Sequence, residues 1–275
     1  MGTNSIKTNL TKDSIISDIK LLLGADINKE NVYVVVEGDD DIKFLRRYLN
    51  SNVIIYESFS GKNGVEEIVN SKNISNSRVI GIRDKDYYNN LKSKKIFFYD
   101  RCCLEMMIIE FDKAFNGIYY EFYNGEMESH KLKEHILTEL FIVSQVRKYN
   151  EENKMKINFK GLSFQTIIDD ESKLNEDKFI EQLEKLNSDK PINFIDIINK
   201  LSYKNIDNIL DITNGHDFIL LFKFYCDKKC DKHFANEKQI SSVLRGSFNE
   251  GFLKETALYK NVNDYFNNKV KVWCC

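Results

Sequence analysis

The run Val32-Tyr33-Val34-Val35-Val36 constrains this chain more than any other segment. Five consecutive apolar residues, mostly β-branched, favour a strand, and the lack of polar alternation means that both of its faces are covered. Glu37-Gly38 closes the run, and Asp39 to Leu49 then reads as a helix. Three aspartates sit at its positive end, and Ile42, Leu45 and Leu49 form one apolar stripe. Val53 to Tyr56 is a second strand, followed by a Gly61-Lys62-Asn63-Gly64 turn and a short helix through Val69. Arg78 to Ile82 is a third strand, ending at Asp84-Lys85-Asp86, and Ile96 to Tyr99 is a fourth, followed by an apolar helix from about Cys103 to Phe115. Strands separated by helical segments imply crossover connections. The expected class is therefore α/β, with a mostly parallel Rossmann-like sheet flanked by helices.

After Tyr120 the pattern turns mainly helical, at His130–Tyr149, Glu176–Leu186, Asn193–Leu201, His216–Asp227 and Asn236–Leu244. The stretch from Asn150 to Leu174 is polar, with a strand expected at Lys156–Phe159. The reading is an α/β domain over residues 1–120 and a mainly helical region over 121–275 packed on it.

Composition narrows the function classes. At 42% hydrophobic and 30% charged, the chain is neither disordered nor collagen-like. Apolar runs such as Phe218 to Phe222 are too short to span a bilayer. The polar start, Met1 to Leu10, lacks the apolar core of a signal peptide. Six cysteines without a secretory context read as thiols in a reducing compartment. A cytoplasmic protein with no membrane partner is expected. The net charge of −2 calls for no polyanion, although an acidic metal site within a basic rim would also sum to near zero.

Ligands of open α/β sheets collect at the carboxyl ends of the strands. Glu37 ends the first strand, Asp84 and Asp86 follow the third, and Glu105 lies one turn into the helix after the fourth. Asp41, four residues after Glu37, faces the same cleft if its helix begins at once. A hard divalent cation such as Mg²⁺ binds through carboxylates, water and phosphate oxygens, and removes their mutual repulsion. An extended backbone through Asp84-Lys85-Asp86 would point both carboxylates the same way. Acidic residues after strands also serve as caps and turn formers, the ordinary reading for Asp39 and Asp40. Two such groups in one α/β domain favour a functional cluster.

Val34-Val35-Val36-Glu37-Gly38-Asp39-Asp40-Asp41 followed by Gly81-Ile82-Arg83-Asp84-Lys85-Asp86 resembles the Toprim signature of topoisomerases, bacterial primases and OLD nucleases. Glu-Gly with a second acid at Asp41 is closer to the nuclease branch. No tyrosine is assignable as a topoisomerase nucleophile, and no primase zinc module is visible. The wider chain, including Gly61-Lys62-Asn63-Gly64, Cys103-Leu104-Glu105 and Asn214-Gly215-His216-Asp217, resembles the bacterial Toprim-like family that includes the nuclease subunit of PARIS anti-phage defence systems.

The resemblance implies a phosphodiester-cleaving enzyme using Mg²⁺ or Mn²⁺. Glu37 would be a ligand or general acid/base, Asp84 and Asp86 would hold one metal, and Asp41 and Glu105 would complete a second site. Lys62 could offset charge on a phosphate, against the ordinary reading of an exposed turn lysine. The implied substrate is RNA, tRNA foremost, and the implied partners are a separate ATPase sensor subunit and a second copy of the chain. No Walker A pattern occurs here, so an ATPase would be another protein. A DNA-directed nuclease of the OLD kind and a catalytically silent module that docks an ATPase are the alternatives.

Weaker candidates remain. Lys92, Lys94 and Lys95 would gather a polynucleotide backbone if they lie beside the cleft, and Lys85 would touch the strand without a catalytic role. His216 could contact phosphate, although Asn214 to Asp217 first reads as a helix start. Cys226, Cys230 and His233 share a helical spacing, and a zinc site would need a fourth ligand such as His216 or the Cys274-Cys275 pair. Ordinary thiols are the simpler reading.

Overall fold

The computed structural model describes residues 11–87, 93–201, 208–228, 236–267 and 269–274. In chain order the elements are α1 (Lys12–Ala25), β1 (Val32–Val36), α2 (Asp39–Leu45), β2 (Val53–Glu57), α3 (Gly61–Val69), β3 (Val79–Arg83), β4 (Ile96–Phe98) and α4 (Leu104–Glu110). There follow α5 (Asp112–Phe122), α6 (Ser129–Glu139), α7 (Phe141–Asn153), α8 (Phe164–Ile167) and α9 (Glu176–Leu186). The last are α10 (Phe194–Leu201), α11 (Gly215–Lys228), α12 (Glu237–Ser247), α13 (Glu250–Glu255) and α14 (Ala257–Tyr265). The chain divides into two compact units: Met1–Leu104 with Asn249–Cys275, and Glu105–Phe248.

The first unit holds a four-stranded, all-parallel sheet in the order β2-β1-β3-β4. The fold is α/β and Rossmann-like, as the buried valine run requires: all five residues of β1 are fully buried. One face is covered by α1 and α3. Ile15, Ile16 and Ile19 join Val65, Ile68 and Val69 against Tyr33, Val35, Val79 and Ile96. Each such buried side chain contributes roughly 1.5–3 kcal/mol. Gly81 of β3 is what lets α3 approach, since a Cβ there would lie 2.6 Å from Cγ1 of Val65.

The carboxyl-terminal segment returns to this unit. Asp100 accepts from the N–H groups of Ala257 and Leu258 at 2.7 and 2.9 Å, capping α14. Phe97 meets Tyr265 edge-on at 5.5 Å. Trp273 bridges to Leu49 and stacks with Tyr259 at 5.8 Å. Among the described residues, no helix is long and apolar enough to cross a membrane.

The second unit is helical. Phe115 of α5 contacts Phe218 and Phe222 of α11 edge-on at about 6 Å between ring centres. Asp217, in the first turn of α11, is buried and doubly bonded to the Arg147 guanidinium. Asn214 accepts from the Asp217 N–H at 3.2 Å, so Asn214 to Asp217 is a helix start, as its composition suggests.

Several boundaries correct the sequence reading. The expected helix His130–Tyr149 breaks at Leu140, and the one from Cys103 breaks at Phe111. Lys156–Phe159 is not a strand: Lys156 has φ +57°, the Ile157 N–H donates to the Asn150 side chain, and Asn158 exchanges bonds with Asn187. These side-chain amides take up the backbone groups that a ladder would have used. Helix α1, with its Ile15 and Ile19 stripe, was not anticipated.

Candidate active site

The order β2-β1-β3-β4 places a topological switch between β1 and β3. From β1 the chain crosses to β2 on one side, and from β3 it crosses to β4 on the other. The loops leaving the two neighbouring strands diverge, opening a crevice at their carboxyl ends. Glu37 follows β1 and Asp84 follows β3. Val35 pairs with Gly81, so Glu37 lies level with Arg83 and one residue short of Asp84.

The two acids are linked through backbone. The Asp84 N–H donates to Oε1 of Glu37 at 3.1 Å, and Oδ1 of Asp84 accepts from the Leu104 N–H at 3.0 Å. Burial pushes the Glu37 carboxyl above its ordinary value, and the nearby charge of Asp86 adds to the rise. The Asp84 N–H and the cations of Arg83 and Lys62 oppose it without cancelling it.

Asp86 lies in the crevice by a different route from the expected one. β3 ends at Arg83 and Asp86 has φ +51°, so the backbone is left-handed where an extended Asp-x-Asp was expected. The Asp86 N–H donates to the Cys102 carbonyl at 2.7 Å, which turns the chain back toward the end of β4. Aspartate tolerates this conformation better than most residues.

Lys62 is likewise placed by a helix. Gly61-Lys62-Asn63-Gly64 is the first turn of α3, with Gly61 at φ +51°. Lys62 is half-buried and its Nζ lies 3.1 Å from Oδ2 of Asp86. A Cβ on Gly61 would stand 3.7 Å from Oε2 of Glu37, so this turn passes close to the buried carboxylate.

Asp41 is half-buried, and its Oδ2 accepts from the Gly38 N–H at 2.9 Å, closing the start of α2. Tyr99 stands behind it. Burial pushes the Tyr99 phenol far up, with Asp41, then Asp84 and Glu37, adding to the effect. The phenol keeps its proton. Arg83 is buried at 2% exposure, bonded to Glu66 at 2.9 Å and to the Asp84 carbonyl at 2.9 Å, and its guanidinium lies 4.8 Å from the Phe98 ring centre.

Tyr99 and Arg83 escaped the sequence reading, although both left a signal. The strand-end rule that picked out Glu37 and Asp84 points to Tyr99 when applied to β4. Arg83 is a charge at the end of an otherwise apolar strand, and such a charge, when buried, needs a partner.

Lys94 and Lys95 precede β4, at the amino ends of the strands, and so are not beside the crevice. Lys85 is half-buried, and Lys92 lies outside the described residues. Glu105 belongs to the second unit, half-buried in the first turn of α4. His216 is in the second unit as well, exposed and 4.0 Å from Glu237. Cys226 is a buried thiol, while Cys230 and His233 fall outside the described residues.

Glu37, Asp41, Asp84 and Asp86 present hard carboxylate oxygens, the donor chemistry that suits Mg²⁺ or Mn²⁺. Among the described residues, no three His, Cys, Asp or Glu side chains form a ready-made cage. All four carboxylates instead accept bonds, Glu37 from the Asp84 N–H, Asp41 from Gly38, Asp84 from Leu104 and Asp86 from Lys62. Compared with known proteins, the chain matches no family model and no curated protein.

Proposed function

We propose that this chain is a divalent-metal-dependent nuclease of the Toprim type. The observation that carries the reading is the pairing of Glu37 with Asp84 at the switch between β1 and β3, with Asp86 and Lys62 beside them. Glu37, Asp84 and Asp86 would hold the cation, which when bound supplies Lewis acidity toward a phosphoryl oxygen and activates water. Glu37, whose burial raises its pKa above the ordinary carboxylate value, is suited to hold and release a proton. Lys62 offsets negative charge on a phosphate, and Arg83 holds the Asp84 backbone in place. The family resemblance supports the finer reading: an RNA substrate, tRNA foremost, in an anti-phage defence system under a separate ATPase subunit.

A second reading has its own support. Since Asp41, Asp84 and Asp86 already accept protein hydrogen bonds, the cluster could serve structure alone, within a silent module that docks a partner.

The test incubates purified chain, Glu37→Ala and Asp84→Ala with labelled tRNA, other RNA and DNA in Mg²⁺, Mn²⁺ or EDTA, then resolves the products on denaturing gels. Metal-dependent cleavage lost in both variants is the expected result and names the substrate. Equal cleavage by all three proteins would mean contamination. Absence of both cleavage and Mn²⁺ binding would hand the site to the silent module.

A further inference from the structure

Among the described residues of the first unit, the exposed large hydrophobic side chains are Leu21, Ile27 and Phe59. Leu21 and Ile27 lie on α1 and in the connection before β1, away from the crevice. Phe59, at 38% exposure, lies on the loop from β2 to α3, two residues before Gly61. Gly61 is the residue whose turn passes Oε2 of Glu37. Phe59 thus presents a partly exposed ring on the loop that leads into the turn beside Glu37.

The loop is built to hold that ring. The Ser58 N–H donates to the Val36 carbonyl at 2.8 Å, extending the β1–β2 ladder by one rung. Ser58 itself is buried, and its Oγ donates to the Gly61 carbonyl at 2.7 Å. The ring leans over Gly64, where a Cβ would stand 3.2 Å from Cδ1 of Phe59. Backbone on both sides of Phe59 is therefore fixed, and the ring is presented with little conformational freedom left to lose on binding.

We propose that Phe59 is a stacking platform for an unpaired nucleobase next to the scissile phosphate. The proposal rests on the nuclease reading and names its substrate class: a strand with unpaired bases, as in a loop or a single strand. A base inside a duplex cannot leave its neighbours to lie on the ring without the cost of unstacking. Stacking is tolerant of base identity, so Phe59 selects for unpairedness and leaves sequence unread. Lys62, three residues further along, lies beside Asp86 and is placed to meet the adjoining phosphate.

The test uses the full chain, Phe59→Ala, Phe59→Trp and Glu37→Gln. Each is titrated in EDTA with fluorescein-labelled single-stranded RNA, a hairpin with a large loop and a blunt duplex, by anisotropy. Cleavage in Mg²⁺ is followed in parallel. Phe59→Ala is expected to weaken binding of the single strand and loop about tenfold, with duplex affinity unchanged. Phe59→Trp is expected to keep the affinity and to lose fluorescence on binding. Trp273 is the chain's single tryptophan and is 4% exposed, so its emission forms a constant background. Unchanged single-strand affinity in Phe59→Ala, or an equal loss for the duplex, overturns the proposal. If Glu37-dependent cleavage persists alongside that result, the nuclease reading stands and the platform alone falls. If the unmodified chain neither binds nor cleaves any strand, both fall.

Discussion

The backbone N–H of Asp84 donates to Oε1 of Glu37 at 3.1 Å, and this bond ties the carboxyl end of β3 to that of β1. It satisfies one oxygen of a carboxylate that is otherwise raised by burial and by the charge of Asp86. The site therefore stores an unfavourable charge where the topology opens the sheet, an arrangement more often found at functional sites than in plain structural clusters.

Replacing that charge should separate stability from activity. Glu37→Gln retains a carbonyl oxygen for the Asp84 N–H and removes the buried negative charge. In EDTA the variant should gain stability, read as a higher Tm. Metal-dependent cleavage should fall at least about 100-fold. A lower Tm in Glu37→Gln would show that the carboxylate is a structural anchor.

Lys62 and a cation would compete for Asp86. Lys62→Met should tighten Mn²⁺ binding, read by electron paramagnetic resonance, by about three- to tenfold, because the 3.1 Å ion pair no longer has to open. Its cleavage rate should nevertheless drop, since the phosphate loses a counter-charge. Unchanged Mn²⁺ affinity would remove Asp86 from the metal site.

Two glycines make contrasting demands. Gly81→Ala drives a methyl to within 2.6 Å of the buried Val65 side chain, and should cost about 1–3 kcal/mol as a lower urea midpoint. Gly61→Ala meets no clash but must hold φ +51°, at about 1–2 kcal/mol. Because the added methyl would sit 3.7 Å from Oε2 of Glu37, at the site itself, cleavage should fall by more than the stability loss alone accounts for.

Acid should act on the amino end of the sheet through Asp26. Burial works against its charge, but the N–H groups of Asn31 and Glu30 and the Arg78 guanidinium outweigh it and hold the carboxyl below its ordinary 3.8. A carboxyl depressed in the fold stabilises above its unfolded pKa, and that contribution disappears as pH falls through the folded one. The stability advantage of the native chain over Asp26→Asn should be constant near neutrality and shrink below about pH 5. An advantage that grows on acidification would contradict the assignment.

In the second unit, Asp217→Ala strips the partner from Arg147, which also lies 4.3 Å from the Phe159 ring centre. Removing one member of a mostly buried pair should cost about 3 kcal/mol in chemical denaturation.

The valine run of β1, the strand endings at Glu37 and Asp84 and the start of α11 at Asn214 were legible in the sequence because each rests on local chemistry. Apolar burial, a carboxylate at a strand end and a capping amide all announce themselves within a few residues. Lys62 was visible as a lysine between glycines, but its pairing with Asp86 joins residues 24 positions apart. The left-handed turn at Asp86 was hidden as well, since it answers a bond to Cys102 across a loop. The return of Asn249–Cys275 to the first unit depends on Asp100 reaching Ala257 and Leu258, a span of more than 150 residues.

By itself, then, the sequence determined the class of the fold and the two strands that carry acids, because periodicity and burial are properties of short segments. The order of those strands was decided only in three dimensions. That order makes neighbours of β1 and β3 and turns two separate strand-end acids into one crevice. It also brings Tyr99 behind Asp41 and sets Phe59 on the rim. Pairing across a sheet is fixed by how crossover helices pack on its two faces, and no single segment encodes that packing.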